Sequence, residues 1–135
     1  AARPRFPVPR VRGLEIASAF FAASRSGDLQ QLRSLLAADV TVHADGGGRV
    51  PAALQPIVGL EDVLGLFASL APVYTANMSR LVRYGFVNGL PGFVTVETGD
   101  TLQTTALQVE EGRIVAVYVT RNPDKLRHLA HREPS

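Results

Sequence analysis

The sequence predicts an α+β domain in which a curved antiparallel sheet wraps around about three helices. Three observations carry that prediction. Apolar residues recur at helical spacing up to Leu70, one alternating strand segment interrupts them at 40–45, and four segments rich in β-branched and aromatic residues follow, separated by short turn signals. A chain of 135 residues with 46% hydrophobic and 19% charged residues is long enough to bury a real core and too apolar to be disordered. A cone of this kind usually encloses a pocket.

In chain order, residues 1–12 place Pro4, Pro7 and Pro9 among Arg3, Arg5, Arg10 and Arg12. That density of proline blocks a helix and favours an extended path, so the stretch reads as a semi-rigid linker from an upstream segment. The sharper alternative is an arginine arm that binds nucleic acid. The domain proper is assigned to 13–121. From Gly13 to Ser26, Ile16, Phe20 and Ala23 fall on one helical stripe with Ala19 beside it, and Gly27 suits the position just past the helix end. Asp28 caps a second helix whose apolar face is Leu29, Leu32, Leu35 and Leu36, with Ala37-Ala38-Asp39 as its end.

Residues 40–45 alternate as a strand, with Val40, Val42 and Ala44 on one face and Thr41, His43 and Asp45 on the other. Asp45-Gly46-Gly47-Gly48-Arg49 therefore sits at a strand end. Three successive glycines are entropically costly, so a fold that keeps them is expected to use positive φ or a close approach there. The connection 50–58 has no clear pattern. A third helix runs from Leu60 to Leu70 on Val63, Leu66, Phe67 and Leu70, and Pro72 closes it. Strands follow at 76–87, 92–97, 101–109 and 113–120, joined by turns at 88–92, 98–100 and 110–112. Ile114–Val119 is apolar on both faces and belongs at the sheet centre. Asn122, Pro123 and Asp124 suit the cap and first turn of a terminal helix in the tail 122–135.

Composition excludes several chemistries. Without cysteine there is no disulfide, thiol catalysis or cysteine metal site. His43, His128 and His131 are too dispersed for a metal site, and no cofactor is expected. The glycines are not followed by Lys-Ser or Lys-Thr, and no nucleophile elbow is present. A net charge of +2 is weak support for nucleic-acid binding. With no signal peptide and no run of about 18 apolar residues, a cytoplasmic protein without membrane contact is the expectation. The first residue is Ala1, which suggests part of a longer protein.

Two motifs, Asp45-Gly46-Gly47-Gly48 and Asn122-Pro123-Asp124-Lys125-Leu126, stand out with the segments Ser26-Gly27-Asp28-Leu29, Leu35–Val40 and Val58-Gly59. With this order of elements, the chain resembles the SnoaL-like domain of the NTF2-like superfamily from about Arg3 to His128. More narrowly, it is similar to the C-terminal extension of extracytoplasmic-function sigma factors of the ECF41 or SigJ type. The resemblance implies a regulatory module without turnover, packed in cis against the sigma core domains and influencing RNA polymerase. Residues 1–12 then come from an upstream sigma region. It implies contact residues Asp45, Gly46, Gly47, Gly48 and Arg49, and a regulatory C-terminus carrying Asn122, Pro123, Asp124, Lys125 and Leu126. Where the family often has lysine after the glycines, Arg49 stands here, with the same charge and different hydrogen-bond geometry. The domain alone is not expected to bind DNA, and a homodimer through the exposed sheet face stays open.

Enzymes share this fold, including polyketide cyclases, ketosteroid isomerases and epoxide hydrolases, so fold alone decides nothing. The alternative reading is such an enzyme, with His43 and Asp45 as an acid–base pair and Tyr74, Tyr84, Tyr118, Glu97 or Asp100 as partners. The opposing view is that two polar residues on a strand face are simply solvated. A ligand-sensing pocket lined by Phe20, Phe67, Phe86, Phe93 and Tyr118 would bind a small molecule and add to the regulatory role. Aromatic residues at these spacings also fit plain core.

Overall fold

The computed structural model describes residues 9–45, 55–76, 79–97 and 101–121. Helix α1 (Arg10–Ser26) buries Gly13, Ile16, Ala17, Phe20, Ala23 and Ser24. It begins within the expected linker and not at Gly13. Pro9 is extended (φ −55°, ψ 141°) and its carbonyl accepts the Gly13 N–H at 2.9 Å, so beyond the last proline nothing obstructs helical hydrogen bonding. Gly27 ends the helix in the left-handed region as expected (φ 78°), its N–H bonded to the Ala23 carbonyl at 3.0 Å. Helix α2 (Leu29–Leu35) is capped by the Asp28 carboxylate, which accepts the Gln31 N–H at 3.1 Å.

Strand β1 (Leu36–Asp45) starts where the helix was expected to continue. Leu36 is already extended and pairs with Ile114, so sheet pairing outweighs the helical preference of Leu36-Ala37-Ala38. A two-residue strand β2 (Ile57–Val58) pairs antiparallel with β1 and leads through Gly59 (φ 97°) into helix α3 (Leu60–Ala76). Pro72 lies inside α3 and does not close it. Proline removes one N–H bond, but Pro72 is exposed while Ala71 and Tyr74 are buried on either side of it, so the packed face carries the helix through.

Strands β3 (Arg80–Val87), β4 (Leu90–Glu97), β5 (Thr101–Glu110) and β6 (Arg113–Arg121) form the expected meander. Two of its turns are tighter than expected. Asn88-Gly89 and Glu111-Gly112 each have positive φ at both residues, the geometry of a two-residue hairpin that matches strand twist. The sheet order is β2-β1-β6-β5-β4-β3, in which β1 and β6 are parallel and every other pair antiparallel. The expectation of a central β6 therefore holds.

Among the described residues, three helices cover one face of this six-stranded sheet. The core between the layers holds Ile16, Phe20, Leu32, Phe67, Phe93, Leu107 and Val117, each at most 3% exposed. Phe20 meets Phe67 edge to face at 5.4 Å. Arg33 of α2 and Glu61 of α3 form a two-point ion pair at the surface (2.7 and 3.3 Å). No described helix is long and apolar enough to cross a membrane.

Candidate functional site

At the end of the sheet where β1 and β6 finish side by side, a cavity of about 310 Å³ opens between the sheet and α3. Its helical wall is Leu66, Phe67, Leu70 and Tyr74, a set that recurs on one face of α3. The sheet wall follows from alternation. Val42 and Ala44 on β1 and Val119 and Arg121 on β6 point the same way, with Ala44 paired to Val119. The small Ala44 side chain leaves room that a larger residue would fill. Ile57 of β2 and Asp45, exposed at the rim, complete the lining.

Two polar groups are built into this largely apolar space. The Arg121 Nε donates to Oε1 of Gln103 on β5, itself only 1% exposed. Tyr74 is 8% exposed and carries the Arg25 guanidinium over its ring at 3.8 Å from the centroid. Burial is the main cause that lifts the Tyr74 hydroxyl above its ordinary pKa; the Arg25 charge opposes the rise, Glu97 adds to it, and Arg121 opposes it.

Behind Tyr74 lies a buried polar cluster. Glu97 Oε2 accepts from Thr95 Oγ1 at 2.6 Å, Ser79 Oγ at 2.8 Å and an Arg25 terminal nitrogen at 3.3 Å. Arg25 also donates through Nε to Ser79 Oγ and through its other terminal nitrogen to Ser24 Oγ, both at 3.2 Å. The pair is thus desolvated and satisfied by hydrogen bonds, the condition under which a buried ion pair is tolerated. The sequence reading named Glu97 and Tyr74 only as partners for His43, and it missed Arg25, Gln103 and Arg121. A signal was present: with Phe93, Leu107 and Val117 facing the core, period-two alternation carries Thr95 and Glu97, Gln103, and Arg121 to the same inner face.

The expected site residues are dispersed. Asp45 reaches the cavity and His43 does not. The His43 ring lies on the face away from the helices, stacked on Tyr118 (5.0 Å, 16°), with Nε2 3.0 Å from Thr41 Oγ1. Of the five residues expected to line a pocket, Phe67 alone does so. Phe20 and Phe93 are packed core, because they face the centre of the layer and not its open end. Phe86 lies under the Arg10 guanidinium at 4.2 Å. Tyr118 sits on the outer face, 36% exposed, donating to Gln108 Oε1 at 3.1 Å, because its strand position alternates with the inward Val117 and Val119. Gly46, Gly47, Gly48, Arg49, Asp100 and Asn122, Pro123, Asp124, Lys125 and Leu126 lie outside the described residues. Among the described residues no group of three or more histidine, cysteine, aspartate or glutamate side chains is arranged to hold a metal ion.

No family model matches the chain. It is 34% identical over 119 residues to the extracytoplasmic-function RNA polymerase sigma factor SigJ of Mycobacterium tuberculosis, an alignment spanning 82% of this chain and 38% of that protein. The crystal structure of the same sigma factor is similar over 85% of this chain and 44% of its own, with a TM-score of 0.62 and 30% identity. The fold is shared more widely. A SnoaL-like protein of unknown function from Burkholderia thailandensis has a TM-score of 0.67 at 10% identity, covering 86% of this chain and 98% of its own. An NTF2-like protein of unknown function from Cytophaga hutchinsonii has a TM-score of 0.57 at 10% identity, over 90% and 99%.

Proposed function

Because this chain is a SnoaL-like domain of the kind carried by SigJ-type extracytoplasmic-function sigma factors, we propose that it is the regulatory module of such a factor, working through protein contacts in cis. Its partners are the sigma core domains and, with them, RNA polymerase in the cytoplasm. It makes no promoter contact by itself. Recognition is assigned to Asp45, Gly46, Gly47, Gly48 and Arg49 on one side and to Asn122, Pro123, Asp124, Lys125 and Leu126 on the other.

One observation carries this reading. Asp45 pairs with Thr120 across the parallel strands β1 and β6, and Asp45 and Arg121 line the same cavity. The glycine motif is bonded directly to Asp45 and the Asn-Pro motif directly to Arg121, so the attachment points of two motifs far apart in sequence share one rim. A small molecule in the cavity touches both points of departure and biases the contacts the motifs make. The enzyme reading has no comparable support: an acid–base pair must share a substrate site, and His43 stacks on the outer face while Asp45 lines the cavity.

The test uses the full-length sigma factor with RNA polymerase and its promoter. Asp45→Ala and a triple alanine replacement of Gly46, Gly47 and Gly48 are expected to change transcript yield several-fold without loss of folding. Unchanged transcription by folded variants would remove the glycine motif from the contact surface.

A further inference from the structure

We propose that the cavity takes a small amphiphilic anion, an apolar body carrying one carboxylate-like group, and that Arg121 is its anchor. The inference rests on the ligand-sensing reading above and adds the chemistry of the ligand. Size comes first. A space of about 310 Å³ is roughly twice the ~150 Å³ that accommodates benzene in an engineered core cavity, which sets the body at roughly ten non-hydrogen atoms.

The walls fix the rest. Leu66, Phe67, Leu70 and Val119 offer apolar surface, and Arg121 is the only cationic side chain in the described lining. Its Nε is engaged by Gln103, a side chain fixed by its own burial, so the guanidinium is held from behind. The two terminal nitrogens make no hydrogen bond to a described residue and form the parallel donor pair that matches a carboxylate. Tyr74 adds a second donor on the helical wall, and Arg25 stacked on its ring fixes that ring in place. A cationic ligand would meet the like charge of Arg121. A neutral one would strip water from the Arg121 donors and return weaker hydrogen bonds, without a paired charge. Asp45 stands at the exposed rim, where water screens its charge.

Octanoate, octanol and octylamine share one apolar chain and differ in head group, so titrating each into the 135-residue chain by calorimetry separates fit from charge. Octanoate is expected to bind about tenfold or more tighter than octanol, as a charge-assisted pair implies, with octylamine weakest. Arg121→Gln should bring octanoate down to the level of octanol and leave octanol unchanged, and Arg121→Lys should keep part of the preference. Tyr74→Phe should weaken octanoate and spare octanol. Melting curves verify that each variant is folded. Equal binding of octanoate and octanol, or strongest binding of octylamine, overturns the anion anchor while the ligand-sensing reading stands. No binding of any of the three to the folded chain overturns both.

Discussion

Glu97 is the residue on which most of the buried polar chemistry converges, since one carboxylate oxygen accepts from β4, from Ser79 ahead of β3 and from α1. Its side chain is 8% exposed and that of Arg25 13%. Glu97→Ala would leave the guanidinium charged, buried and unpaired, with an expected loss of about 3–5 kcal/mol in urea denaturation. Glu97→Gln, which still accepts from the two hydroxyls, should lose less; equal losses would show that the hydroxyl hydrogen bonds add nothing beyond the charge pair. Tyr74 gives a pH test. Its folded pKa is raised from the ordinary 10.0, mainly by burial, so above about pH 10 the unfolded chain releases a proton that the folded chain retains. Stability attached to the neutral hydroxyl is therefore complete below pH 10 and is lost as pH rises through the folded value. Urea melts at stepped alkaline pH should show a flatter decline for Tyr74→Phe than for the parent chain; parallel slopes would place the hydroxyl in solvent. At this scale the sequence was legible where a residue acts through its neighbours in the chain, as the Asp28 cap and Gly27 do. It was opaque where a residue acts through partners across the fold: nothing local to Ser24-Arg25-Ser26 announces Glu97.

Among the elements, β4 is the least tolerant of change at Gly92. A Cβ built there lies 2.0 Å from the Thr105 carbonyl oxygen, so β4 and β5 approach more closely than any side chain allows. Gly92→Ala should cost roughly 1–3 kcal/mol, measured by thermal or urea unfolding, because the strands must separate to admit a methyl group. Gly89, whose hypothetical Cβ meets nothing within 4 Å, is the control: alanine there should cost only the strain of its positive φ. Element types were readable because each apolar pattern has one period. Boundaries were less so, and each miss has a cause in tertiary contacts. Pairing with Ile114 draws Leu36 out of the helix, and burial of Tyr74 carries α3 past Pro72. The pocket was least legible, because aromatic type does not reveal which face a residue occupies, and strand and helix faces send Phe20, Phe67, Phe86, Phe93 and Tyr118 to core, surface and cavity. Arg121 and Gln103 were recoverable by counting in twos from the buried valines and leucines.

For the molecule as a whole, the sheet has two unlike ends, a two-residue β2 beyond β1 and an eight-residue β3 at the other edge. Hydrogen exchange should be slowest for the amides of β5 and β6, the two strands furthest from either sheet edge, and faster at the edge strands β2 and β3. Uniform exchange across the sheet would contradict this order. The α+β class and the central β6 could be read from the chain; the parallel union of β1 with β6 could not, because periodicity carries no information about which strands meet. That union also dictates when the fold is complete. The β3–β6 meander is built from neighbours in sequence and can assemble early, whereas β1 must wait for the last strand before it gains its long partner. As the chain is synthesised, β1 has only the two-residue β2 beside it until β6 emerges. The cavity, walled by β1, β6 and α3, is formed in the same event, so no intermediate that lacks β6 presents it.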